Sequence, residues 1–187
     1  MENILLPKLR KSHLEFNEVY FWTNTIKDWK HLLKQEKYKA IIIKSLANLV
    51  HKKLIIVHGF VIMPNHIHII WEKVAPNGKE KTIASFNKEI AHIIIKDLKE
   101  NHQAVLSFFK VEEKERIHRI WQRDALAIRM YNSNILLQKL DYIHFNPLQA
   151  NWNLAKRPEE YYWSSALFYE NNMDNFGFLT HFKEKFG

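Results

Sequence analysis

Val61-Ile-Met-Pro-Asn-His-Ile-His-Ile-Ile-Trp71 is the stretch whose reading decides the fold of this 187-residue chain. From His66 onward it alternates and is rich in isoleucine, the pattern of a β-strand, in which residues i and i+2 share a face. His66 and His68 therefore project together while Ile67 and Ile69 pack on the other side. Met63-Pro-Asn65 reads as a turn, because proline cannot donate a ladder hydrogen bond. The apolar run Leu54–Phe60 before it supplies a partner strand, so a hairpin is predicted whose second strand opens on the histidine pair. Two neutral imidazoles one strand step apart can share a divalent cation. A cation held there can polarise a phosphoryl or carbonyl oxygen. A chance His-x-His among eleven histidines is the other reading of the same pair.

Outward from the hairpin, Asn17–Thr25 is aromatic and β-branched, a first strand. Glu36–Lys52 has helical apolar spacing. Lys73–Lys81, with Pro76-Asn-Gly78, is a loop. Thr82–Asn101 is an amphipathic helix that keeps Lys88, Lys96 and Lys99 off its apolar stripe. Residues 102–116 read as an exposed, charged connection. Arg119–Met130 is a further strand, irregular at Arg123-Asp124, and Asn134–Phe145 is a helix that Pro147 terminates. A turn is expected at Lys156-Arg-Pro158. Strand, helix, hairpin, helix, strand, helix implies an α+β fold, an antiparallel sheet with helices packed on one face, related to the ferredoxin-like arrangement, in a single domain over 1–187.

Composition narrows the function. Hydrophobic residues make up 47% of the chain and aromatics 13%, enough for a packed core. Cysteine is absent, which removes disulfides, thiolate-bound metals and thiol nucleophiles and fits a reducing compartment. The segment Met1-Glu-Asn-Ile-Leu-Leu-Pro-Lys8 lacks a signal-peptide core and no apolar run reaches membrane-span length, so a cytosolic protein without a membrane partner is expected. Basic residues outnumber acidic ones 28 to 20, a net +8 that favours polyanions such as nucleic acid. A solvated basic surface that only aids solubility is the alternative.

On the last helix, at about 100° per residue, Leu136, Leu140 and Ile143 fall in one sector facing the core. Tyr142 lies about 120° from that sector, on the flank of Ile135 and Asn146. Tyr142 and Asn146 are i and i+4, hence neighbours if the helix persists that far. A half-buried tyrosine with its hydroxyl in water is the bland reading of this position.

Four motifs in order, Val61-Ile-Met-Pro-Asn-His-Ile-His68, Ile120-Trp-Gln-Arg123, Leu140-Asp-Tyr-Ile-His-Phe-Asn-Pro147 and Trp163-Ser-Ser-Ala166, with Tyr20-Phe-Trp-Thr23 at the first strand, resemble the REP-associated tyrosine transposases, members of the single-tyrosine HUH transposases. The resemblance runs over about residues 18–170. It implies a palm-like sheet that cuts and rejoins single-stranded DNA, with Tyr142 as nucleophile, His66, His68 and Asn146 as ligands of Mg²⁺ or Mn²⁺, and hairpin or repeat ends as targets. It also implies a cytoplasmic, nucleoid-associated protein working as a monomer or a homodimer. Two departures stand out. Many members carry two asparagines before the proline, where this chain has Phe145-Asn146. The aromatic-acidic-His cluster that often follows the glutamine is replaced by Asp124-Ala-Leu-Ala127.

Arg123, Lys88 and Arg129 are the expected phosphate contacts, each with solvated charge as the alternative. Trp121 and Trp163 read as core or edge aromatics, His58 as structural, and Gln122 as a candidate for orienting the site. Two other functions remain open at this stage. One is a His-dependent phosphoesterase, although Ile70 occupies the place of a third alternating histidine. The other is a non-catalytic nucleic-acid-binding module.

Overall fold

Strand β1 (Val19–Thr25) alternates across the sheet and is apolar on both sides, so it needs cover on both. It is followed by α1 (Glu36–His51), β2 (Ile55–Ile62), β3 (His66–Lys73), α2 (Thr82–Asn101), α3 (Gln103–Ser107), β4 (Lys110–Glu113), β5 (Arg116–His118), β6 (Leu126–Arg129), α4 (Ser133–Phe145), α5 (Ala166–Asn171) and α6 (Lys183–Phe186). The structure, a computed structural model, describes residues 14–114, 116–123 and 125–187. The N-terminal segment read for a signal peptide and Asp124 lie outside the described residues. Among the described residues no helix is long and apolar enough to cross a membrane.

The main sheet has the order β2-β3-β1-β6 and is antiparallel throughout. That is the ferredoxin-like arrangement, in which β3 is inserted between β1 and β2. The register sets Thr25 opposite His66, Thr23 opposite His68 and Phe21 opposite Ile70. These residues share one face, and Tyr20, Trp22, Ile67, Ile69 and Trp71 share the other. The expected helical layer on one face is made by α1 and α2, whose Ile42, Leu46, Phe86, Ile90 and Ile94 close over Trp22 and Trp71. The Trp22 and Trp71 rings lie 5.1 Å apart, with Phe86 edge-on to both. The opposite face carries its own layer. Leu136, Leu140 and Ile143 of α4 pack on Val19, Phe21, Val61 and Ile70, as the helical wheel predicts.

The remaining elements differ from expectation in instructive ways. The connection at 102–116 holds α3 and the two-stranded β4–β5 hairpin. The hairpin is too short and charged to show an apolar period; Glu113 pairs with Arg116 across it at 3.2 Å and ties it to Arg119 at 2.5 Å. Of the strand expected over Arg119–Met130, only Leu126–Arg129 pairs in the sheet, while Trp121 makes a lone bridge to Ile26.

Helix α4 begins at an N-cap, Asn132, whose side chain accepts from the Ile135 amide at 3.0 Å. It ends at Phe145, yet Asn146 keeps helical dihedrals (φ −57°, ψ −44°) and opens a 3₁₀ turn over Asn146–Leu148. The Tyr142–Asn146 flank is therefore preserved despite Pro147.

The outer edge of β2 is closed by the C-terminal segment, through bridges from Val61 to Ser164 and from Val57 to Leu179. Ser165 Oγ accepts from the Phe60 amide at 2.9 Å and lies 2.9 Å from His144 Nε2, tying α4 to that edge. Gly59 lets α4 come close. A Cβ there would stand 2.6 Å from Leu140 Cδ2 and 3.3 Å from Ser165 Oγ. Gly59→Ala is therefore expected to overpack this contact at a cost of about 1–3 kcal/mol. Thermal melting checks it; an unchanged melting temperature would mean that the helix yields freely.

Candidate active site

The site is the cleft between the histidine face of the sheet and the flank of α4. It is an open hollow of about 790 Å³ lined by Phe21, Thr23, His66, His68, Lys139, Tyr142 and Asn146, among others. Strand period 2 brings the two imidazoles together as expected, with ring centroids 4.7 Å apart. The Tyr142 ring centre lies 5.3 Å from that of His68, edge-on, and the residue is 44% exposed. Asn146 lines the same cleft and is itself buried. Four residues singled out in the sequence thus converge, all from one chain.

Each imidazole is held by its Nδ1. His66 Nδ1 donates to Asn65 Oδ1 at 2.6 Å, and His68 Nδ1 is 2.7 Å from Thr23 Oγ1. Because the Asn65 amide nitrogen is already directed at the Trp29 carbonyl, 3.3 Å away, its oxygen can only accept. His66 therefore carries its proton on Nδ1 and presents a lone pair at Nε2. The Nε2 of His68 is buried and has no hydrogen-bond partner among the described residues, whereas most buried polar atoms are paired. Burial pushes the His66 pKa down to about 4. Burial also pushes His68 well below its ordinary value, helped by the neighbouring His66 and the Lys139 ammonium. Both rings are neutral at pH 7, the state that ligates metal.

The donor set suits a cation with incomplete protein ligation. Among the described residues no three His, Cys, Asp or Glu side chains gather at ligating range. Beyond the two imidazoles, the side-chain amides of Asn146, Gln149 and Asn151 also line the cleft, and a cation there would take its remaining positions from such oxygens, water or substrate.

Several cleft residues are not among those that the sequence singles out for the site. Lys139 sits one turn before Tyr142, its ammonium 5.5 Å from the Tyr142 ring centre and 5.1 Å from that of Phe21. Its i, i+3 spacing from Tyr142 was the available signal. Thr23 could have been found from the alternation Phe21-Thr23-Thr25 once the strand partner was known. In the sequence Asn65 carries only a turn signal. Trp29 and Trp152 lie in loops with no periodic signal.

The expected phosphate contacts are not brought into the cleft. Lys88 lies on α2, across the sheet, paired with Glu80 at 3.1 Å. Arg129 is opposite Tyr20 on β6 and is paired with Glu15 and Glu18. Arg123 is exposed and bound to Glu113 at 2.9 Å, next to Gln122, whose side-chain oxygen accepts from the Asp28 amide at 3.2 Å. His58 is a buried residue beside a bulge in β2, its Nδ1 3.1 Å from the Thr180 carbonyl and away from the pair. Trp121 is buried with its indole N–H on the Asn87 carbonyl.

No family model matches the sequence, and no curated protein matches it. Among solved structures, the fold is similar to that of a REP-associated tyrosine transposase bound to a REP hairpin. The TM-score is 0.54, with 17% identity, over 91% of this chain and 90% of that one. At that identity the likeness is one of fold.

Proposed function

We propose that this chain is a DNA strand transferase that cleaves single-stranded DNA through Tyr142. The observation that carries the reading is the Tyr142 phenol standing against His68, whose buried Nε2 has no hydrogen-bond partner among the described residues, with the His66 imidazole beside it. The shared fold with a transposase, the four motifs and the basic surplus support it. His66, His68 and Asn146 would hold Mg²⁺ or Mn²⁺. When bound, such a cation supplies Lewis-acid polarisation of the non-bridging phosphate oxygens and offsets charge in the transition state.

The chain's own residues do the rest. Thr23 and Asn65 fix the imidazole orientations. Tyr142 gives up its proton and its oxygen bonds to phosphorus as the bond from phosphorus to the 3′ oxygen breaks. The products are a 5′-phosphotyrosine and a strand ending in a 3′ hydroxyl, which takes up a proton. Lys139 places positive charge beside the phenol as that negative charge develops. The covalent bond conserves the energy needed to join a second strand end. The substrate would be single-stranded DNA with hairpin or repeat ends, met at the nucleoid, with the site assembled in cis within one chain. A phosphoesterase built on three alternating histidines fits less well, since Ile70 is packed beneath α4.

The test is incubation of the protein with a single-stranded hairpin oligonucleotide, with and without Mn²⁺. A denaturation-resistant protein–DNA band is expected only with the metal. Binding without any such band would favour a non-catalytic module. Thr23→Val, which removes the partner of His68 Nδ1, is expected to weaken Mn²⁺ affinity about 10–100-fold. Calorimetric titration checks this, and an unchanged affinity would show that Thr23 does not orient the ring.

A further inference from the structure

The turn that follows β1 is strained. Asp28 (φ 56°, ψ 31°) and Trp29 (φ 56°) are consecutive residues in the left-handed region, a conformation that a bulky side chain rarely adopts. The surroundings hold it there from two sides. Gln122 Oε1 accepts from the Asp28 amide at 3.2 Å, and the Asn65 side-chain amide donates to the Trp29 carbonyl at 3.3 Å. The Lys27 amide adds a bond to the Ile120 carbonyl at 2.7 Å. Backbone strain held in place in this way clusters at active sites and ligand clamps.

What the strain delivers is the Trp29 ring, 61% exposed at the rim of the cleft. Core packing does not explain an indole left so open. Its centre lies 6.3 Å from His66, and that of Trp152, from the loop after α4, lies 6.0 Å from the same imidazole. His31 adds a third ring 5.5 Å from Trp152. Asn65 links the two features, since one side chain orients His66 and pins the Trp29 turn.

We propose that Trp29 and Trp152 form a stacking site for an unpaired base of single-stranded DNA, held on the His66 side of the cleft next to the phosphate that Tyr142 attacks. The inference rests on the strand-transferase reading and adds the element that would select unpaired over duplex DNA at the scissile position. Stacking on indole needs only a base's π-face, so the site would tolerate sequence but not pairing. The held turn fixes the backbone from which the ring projects, which limits the ordering cost on binding to the side chain.

The experiment uses the Tyr142→Phe protein, so that binding is read without chemistry, and single strands carrying 2-aminopurine at successive positions. One position is expected to show stacking-induced quenching, absent with the same base in a duplex. Trp29→Asn keeps a residue tolerant of positive φ and removes the ring. It should relieve that quenching and weaken single-strand affinity about tenfold, with the melting temperature unchanged or raised. Trp29→Phe should restore much of both signals, and Trp152→Leu should reproduce the loss while filling the space. If the single strand binds but neither tryptophan variant alters quenching or affinity, the stacking site is wrong and the strand-transferase reading stands. If the protein does not bind single strands at all, both are wrong.

Discussion

Tyr142→Phe is expected to abolish covalent capture of DNA, with cleavage falling by at least about 10³-fold, while single-strand affinity stays within about twofold. The variant isolates one oxygen atom. The ring contacts with His68 and Phe21, at 5.3 and 6.1 Å, survive in phenylalanine, so packing of α4 on the sheet should not change. The residue is 44% exposed, so loss of its hydroxyl is not expected to leave a buried polar group unpaired. A melting temperature equal to that of the parent is the control. Cleavage that persists would transfer the nucleophilic role to water or to another side chain and leave the phosphoesterase reading in force.

The second large effect concerns the imidazole pair. At a Mn²⁺ concentration a hundredfold above its dissociation constant, bound metal should stabilise the native state by about 2.7 kcal/mol. For a chain of this size each kcal/mol moves the melting point by about 2–4 °C, so a rise of about 5–10 °C is expected. His66→Ala and His68→Ala should each remove that rise and lower cleavage at least about 10²-fold. The two variants differ without metal. His68 is stacked on Phe21 at 5.1 Å, so its removal should also lower the melting point of the apo protein. His66, at the mouth of the hairpin, should cost less. A metal-induced shift retained by both variants would show that the imidazoles are packing residues.

Where a side chain's placement follows a period, it was legible in the sequence. Strand alternation sets His66 and His68 on one face, and the helical wheel sets Leu136, Leu140 and Ile143 on the sheet with Tyr142 on the flank; the nucleophile's role came only from the resemblance. The same parity also bears on Arg129. Leu126 and Ile128 line the cleft, so Arg129 falls on the Tyr20 side of β6. Lys88 shows a different limit. Helical spacing identifies which face of α2 is polar, but the face of the sheet that α2 covers is a property of the whole topology. Thr23, Asn65, Trp29 and Trp152 enter the site through cross-strand register and loop geometry, and neither is written in a local period. The pinning of Asp28 by Gln122 spans 94 residues of sequence and became visible only when β1 and the segment after Trp121 were brought together.

The most direct test of the central claim is to capture the wild-type protein on a single-stranded hairpin substrate labelled at either end, in the presence of Mn²⁺, and to map the adduct by peptide mass spectrometry. The label on the 3′ side of the cut should become protein-bound, the other fragment should end in a free 3′ hydroxyl, and the modified residue should be Tyr142. An adduct on any other residue, or retention of the 5′ label by the protein, would contradict the account.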